Sequence, residues 1–115
     1  MIPVKYRLNL RKNPDFFNHS QRFYSQLFLI FYQLKGEGSQ TIDSRVAVVV
    51  PKKNIKKRTQ RSRIKRRVFG VVLSIIEKHP NLELVIVVNK EIKDFSFQEI
   101  VLDLNKAFSS LNNDD

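Results

Sequence analysis

The sequence predicts an α+β fold, a two-layer α/β sandwich in which helices cover mainly one face of a small, mainly antiparallel sheet, in the order α-β-β-(β)-α-β-α. Three observations carry this expectation. Residues 26–34 (QLFLIFYQL), 44–51 (SRVAVVVP) and 82–90 (LELVIVVNK) are short apolar runs rich in aromatic and β-branched residues, the length and composition of strands. Ile64, Val68, Val71, Val72, Ile75 and Ile76 recur at spacings of three and four, which marks a helix over 57–78 with one buried stripe. Phe97, Ile100, Val101, Leu104 and Phe108 repeat that spacing near the C-terminus.

Taken in order, residues 13–20 are expected to form a short helix, with Asp15 near its start and Phe16 and Phe17 available for packing, and 22–25 a brief extra strand. The strand over 26–34 is closed by the turn-rich KGEGSQ. In the next strand Pro51 removes the N–H that would extend the ladder, so the run ends there. These two strands are expected to pair as an antiparallel hairpin. Gly70 lies inside the following helix, where glycine costs about 1 kcal/mol relative to alanine, a cost that a long patterned segment tolerates. His79, Pro80 and Asn81 stop it. Ser96 with Glu99 three positions on is a capping-box signature for the last helix, and 112–115 is a polar tail. No repeat or linker divides the chain, so residues 1–115 read as a single domain.

What that domain binds is read first from charge. The chain has 115 residues, 42% hydrophobic and 28% charged, enough to build a core without staples. There is no cysteine, which excludes disulfides, thiolate metal sites and a cysteine nucleophile, and no apolar run approaches a bilayer span; a cytoplasmic protein without a membrane partner is expected. Residues 1–67 carry 17 Lys and Arg against 3 acids, whereas 68–115 carry 4 against 8. Ten of the sixteen residues in 52–67, KKNIKKRTQRSRIKRR, are cationic and none is acidic. Charges this crowded repel unless a polyanion screens them. Nucleic acid is the first candidate; a solvated face, a localisation signal and an anionic membrane are the alternatives, the last disfavoured because the core needs the helix's apolar stripe.

On a helical wheel Arg61, Lys65 and Phe69 follow one flank of that stripe, and Arg63 and Arg66 point to the opposite side. Arginine forks two hydrogen bonds to phosphate and stacks on bases, which suits RNA. Phe16, Phe17, Phe23, Tyr24, Phe28, Phe31 and Tyr32 precede the run and offer rings for base stacking or for the core. His19 and His79 lie far apart, and no carboxylate pair or metal-ligand spacing stands out. No catalytic or metal-binding residue is therefore assigned.

At Arg61 to Arg67, RSRIKRR, the sequence resembles the protein component of bacterial ribonuclease P, whose signature is Arg-Asn-Arg-Ile-Lys-Arg-x-x-Arg on a crossover helix. Arg61, Arg63, Ile64, Lys65 and Arg66 match; Ser62 replaces the asparagine and Phe69 the last arginine. VVVPKK before the motif and LVIVVNK after it fit the family's flanking strands, and Arg7-Leu8, Asp15-Phe16, Arg22 and LFLIFY extend the likeness over most of the chain. The resemblance implies a left-handed strand–helix–strand crossover, against the usual rule.

It also implies a role. The chain would be the subunit that binds a large catalytic RNA and the 5′ leader of precursor tRNA, promoting endonucleolytic removal of that leader, with Mg²⁺ held by the RNA and none by the chain. Lys52, Lys53, Arg58, Arg61, Ser62, Arg63, Lys65, Arg66 and Arg67 would contact RNA, with Arg63 and Arg66 on the catalytic RNA. Phe16 or Phe17, Arg22, Phe31, Arg61, Lys65 and Phe69 would line the leader cleft. Ser62 keeps a hydroxyl but lacks the amide's paired donor and acceptor, and the ring of Phe69 either stacks on RNA or enlarges the core. No obligate protein partner is expected. The competing reading is a ribosomal or RNA-assembly protein that binds structured RNA without a role in cleavage.

Overall fold

In a computed structural model the described residues are 6–12, 15–34, 44–77 and 82–112. They form α1 (Phe16–His19), β1 (Gln21–Tyr24), β2 (Phe28–Leu34), β3 (Arg45–Val49), α2 (Arg58–Ile76), β4 (Leu82–Val88), a 3-10 turn (Lys90–Asp94) and α3 (Phe97–Asn112). The expected element order is present, with the 3-10 turn as an addition. His79, Pro80, Asn81 and the tail beyond Asn112 lie outside the described residues.

The four strands make one sheet in the order β1-β2-β4-β3. β1 and β2 are antiparallel, as are β2 and β4, while β3 runs parallel to β4. The expected hairpin between β2 and β3 does not form, because β4 lies between them. The reason is burial. All but one residue of β4 is buried, so it needs cover on both faces, whereas β3 alternates between buried and partly exposed positions. A strand apolar on both faces takes the centre of a sheet. The parallel pair β3 and β4 is then joined through α2, the long crossover that parallel neighbours require.

One face of the sheet presents Phe28, Ile30, Val46, Val48, Leu84, Ile86 and Val88 to α2 and α3, which answer with Val68, Phe69, Val72 and Ile76 and with Ile100, Leu104, Ala107 and Phe108. The opposite face is covered by α1 and the amino-terminal segment, where Leu8 and Phe16 pack on Val85. Helical cover is thus heavier on one face but present on both.

Polar ties fix the layers. Asp103 Oδ2 on α3 accepts from Ser25 Oγ at 2.6 Å and from Leu27 N–H at 3.2 Å, holding the β1–β2 connection to the helix. Asn89 N–H donates to the Leu27 carbonyl at 2.8 Å, and Asn54 Nδ2 donates to the Val88 carbonyl at 3.1 Å, so the end of β4 is bound to the start of β2 and to the loop before α2. That loop begins at Pro51, whose carbonyl accepts from the N–H groups of Asn54 and Ile55.

The expected capping box is present and reciprocal. Glu99 Oε1 accepts from Ser96 N–H at 2.9 Å and Ser96 Oγ accepts from Glu99 N–H at 3.2 Å. These backbone and side-chain hydrogen bonds to Ser96 hold the Glu99 carboxyl below its usual pKa. A lowered folded pKa contributes stability above the unfolded value and loses it as pH falls through the folded value. Urea unfolding across an acid pH series is expected to show this loss in the wild type and to lack its Glu99 component in Glu99→Gln. Gly70 lies on the exposed side of α2, with nothing within 4 Å of a Cβ built there. Gly70→Ala is accordingly expected to stabilise the fold by about 0.5–1 kcal/mol, read as a higher urea midpoint at unchanged slope.

Candidate nucleic-acid interface

The first half of α2 carries the charge. Its N-cap, Lys57, makes no side-chain capping bond, and its first turn contains no acid. The positive end of the helix dipole therefore faces Lys56, Lys57 and Arg58 rather than a neutralising carboxylate, which leaves a concentrated positive field. The apolar stripe of the second half anchors the helix in the core and so holds these cations against their mutual repulsion.

Arg61 occupies that stripe's register but lies beyond the sheet's cover. Its Nη1 donates to the carbonyls of Ile55 at 2.9 Å and Lys56 at 2.7 Å, clamping the preceding loop. It is a positioning residue here, and its guanidinium does not line the groove described next.

That groove, about 760 Å³, opens between α2 and β3, the last strand of the sheet. Ser62, Lys65, Arg66 and Phe69 form its helical wall, and Val46, Ala47 and Val48 its strand wall. Arg66 therefore shares a side with Lys65 and Phe69 and not with Arg63, contrary to the wheel reading: 62, 66 and 69 fall on one face at i, i+4 and i+7, with 65 beside them. Arg7 and Leu8 complete the groove, held by the Leu8 N–H donating to Val46 O at 3.1 Å and by an Arg7–Val46 bridge. The Arg7-Leu8 pair was visible in the sequence, but only its pairing with β3 reveals a place in the groove. Phe69 is 8% exposed and packs in the core with its ring 6.3 Å from that of Tyr6. It is mainly a core residue and forms part of the groove wall.

Arg63 and Arg67 line a second hollow, on the α3 side of the helix, where the Arg67 guanidinium stands 5.7 Å from the centroid of the Phe97 ring. Lys52, Lys53 and Arg58 are exposed at the approach to α2.

The aromatic wall forms on the far face of the sheet. Phe16 is 2% exposed and belongs to the core, whereas Phe17 is 46% exposed and lies edge-on to Phe31 with ring centroids 4.9 Å apart. Phe16 is therefore removed from the leader cleft: a ring beside Val85 and Leu8 is already enclosed. Arg22 is the β1 register partner of Phe31, so the two share a face.

The row continues from Phe31 to Val85 on β4 and Ala47 on β3, which brings it to the groove. Three strand spacings of about 4.8 Å separate the Arg22 end from the groove end. The residues expected to line one cleft thus divide between two places. Phe17, Arg22 and Phe31 form an exposed platform, Lys65 and Phe69 line the groove, and the buried Phe16, Leu8 and Val85 lie between. Sequence spacing cannot show this division, because the register of β1, β2, β4 and β3 creates it.

A basic helix, a cationic groove and a half-exposed aromatic platform on one small sheet define a polyanion-binding α+β protein. The family model for Ribonuclease P matches residues 4–112, and the chain belongs to that family: it is a ribonuclease P protein subunit, a component of an endoribonuclease that processes tRNA. No curated protein sequence matches it significantly. Solved structures agree in fold. The ribonuclease P protein of Thermotoga maritima is 21% identical, with a TM-score of 0.73 over 88% of this chain and 93% of that one. The Staphylococcus aureus protein is 17% identical, with a TM-score of 0.76 over 92% and 94%. A mutant of the Staphylococcus aureus protein reaches a TM-score of 0.79 at 15% identity, over 93% of this chain and 88% of that one.

The two cations Arg61 and Lys65 are expected to separate in experiment. Arg61→Ala should lower unfolding stability by about 1 kcal/mol, because the half-buried Ile55 carbonyl and the exposed Lys56 carbonyl lose a charged donor. Lys65→Ala, at an exposed site, should leave stability within about 0.5 kcal/mol of wild type while weakening RNA binding. Urea unfolding and filter binding on both variants check this, and equal stability losses would contradict the assigned role of Arg61.

Proposed function

We propose that, within ribonuclease P, this subunit grips the catalytic RNA through the groove cations Lys65 and Arg66 and the exposed Lys52, Lys53 and Arg58, and lays the 5′ leader of precursor tRNA on Phe17, Phe31 and Arg22. Family membership implies association with ribonuclease P RNA and precursor tRNA. The observation that carries the leader assignment is the pairing of a 46%-exposed Phe17 with Phe31 beside Arg22. A folded protein buries most of its phenylalanine; a half-exposed ring carried by α1 and packed on a strand residue, with a cation beside that residue, suits a stacked single-stranded base.

Mg²⁺ in the holoenzyme is assigned to the RNA, where it would activate water and stabilise the leaving oxygen. Among the described residues no group of three or more His, Cys, Asp or Glu comes together that could hold a metal ion, so no step is assigned to metal bound by this chain. The chain's share of the reaction is binding and positioning: fixing the leader in place lowers the entropic cost of bringing the scissile bond to the RNA site. Cytoplasmic action is the matching location; no described helix is long and apolar enough to cross a membrane.

Reconstitution with a matching catalytic RNA at low Mg²⁺ tests the reading directly. Wild-type protein should stimulate 5′ cleavage of precursor tRNA, and absence of stimulation would defeat it. Phe17→Ala should weaken precursor binding by about 1–3 kcal/mol, the usual worth of a base stacked on an aromatic ring, and leave mature tRNA binding unchanged. Equal loss for both ligands would take Phe17 off the leader path.

A further inference from the structure

A second concavity, about 270 Å³, lies between α2, the 3-10 turn and α3. Its floor is apolar, made chiefly by Ile64, Ile92, Phe95 and Ile100. Its polar lining among the described residues is Gln60, Arg63, Arg67 and Lys93, and every ionised group of that described lining is cationic. Lys93 is notable in this respect, since it comes from the acid-rich part of the chain and yet lines the same hollow as two cations of α2.

The two halves of this lining ask for one kind of ligand. A bare inorganic anion would satisfy the cations and leave the apolar floor unused, and a purely apolar group would desolvate cations with nothing to pair them. A nucleotide supplies both, a flat base for the floor and a phosphate for the cations, and the Gln60 amide has the donor and acceptor that a base edge requires. The volume falls just below the roughly 300–1,000 Å³ of sites that enclose drug-sized ligands, which suits one base with its phosphate at the rim and the rest of the strand outside.

The position of the hollow selects the source. It belongs to the helical layer, on the opposite side of the sheet from Phe17 and Phe31, so a leader lying on the platform does not reach it. We propose that this hollow receives one unpaired nucleotide of the catalytic RNA, with its base against Ile64, Ile92 and Phe95 and its phosphate between Arg63 and Lys93. This rests on the reading of the chain as the subunit that binds that RNA.

The isoleucine methyl groups of the floor make the test direct. In NMR spectra of isoleucine-methyl-labelled protein, pentaadenylate should shift the Ile64 and Ile92 resonances through the ring current of a base, while inorganic pyrophosphate should not. Lys93→Ala, an exposed substitution, should diminish those shifts and leave the response of Phe17 ring resonances intact. With the full catalytic RNA the same variant should bind about threefold to tenfold more weakly, with a salt slope smaller by about 1 and an unchanged preference for precursor over mature tRNA. Silent floor methyls alongside a responding Phe17 would overturn the hollow and leave the RNA-subunit reading intact. Equal shifts with pyrophosphate would reduce it to an anion site and overturn it too. No response anywhere, together with no stimulation of cleavage, would remove both readings.

Discussion

β4 needs cover on both of its faces, and the rest of the molecule is arranged around that requirement. Five consecutive residues, Leu82 to Ile86, are buried, so neither face of the strand is left to water. Antiparallel β2 and parallel β3 satisfy its backbone on either side, α2 and α3 close one face, and the amino-terminal segment with α1 closes the other. The candidate binding surfaces are what this arrangement leaves uncovered: β3, with the Arg7–Leu8 segment bridged to it, becomes one wall of the basic groove, and Phe31 of β2 joins Phe17 of α1 in the aromatic platform.

The same architecture solves an electrostatic problem. Ten cations in 52–67 destabilise any compact state unless something fixes them, and the fixing agent is the apolar second half of α2, where Val68, Val72 and Ile76 are buried under the sheet. The hydrophobic stripe thus holds a charged surface in place before the polyanion arrives. Arg61 extends that logic by one turn. At the register position where the stripe would meet the sheet, it meets the Ile55 and Lys56 carbonyls instead, and turns a charge into a loop clamp. A binding surface built in this way is organised in advance, so less ordering entropy is lost when RNA docks.

Local signals were legible wherever a few neighbouring residues decide the outcome. The Ser96–Glu99 box, the stop at Pro51 and the period of α2 each depend on chemistry within one or two turns, and each stands where the sequence puts it. The hairpin expectation failed because β2 and β3 are consecutive in sequence, while the contest for the central position is settled by a strand more than thirty residues later. The continuous apolar run of β4 was itself a cue to the centre, one that adjacency along the chain outweighed.

The sequence by itself determined that this chain carries a basic helix anchored by an apolar stripe in an α+β domain, together with enough of the Arg-Ser-Arg-Ile-Lys-Arg motif to resemble the ribonuclease P proteins, because charge, period and motif are properties of consecutive residues. Only the tertiary structure decided which residues share a surface. It chose Phe17 over its neighbour Phe16, put Arg66 beside Lys65, turned Arg61 inward, and set Arg22, Phe31, Val85 and Ala47 in one row across four strands. Those choices follow from strand register and from competition for buried volume, which bring distant residues together under constraints that no local spacing records.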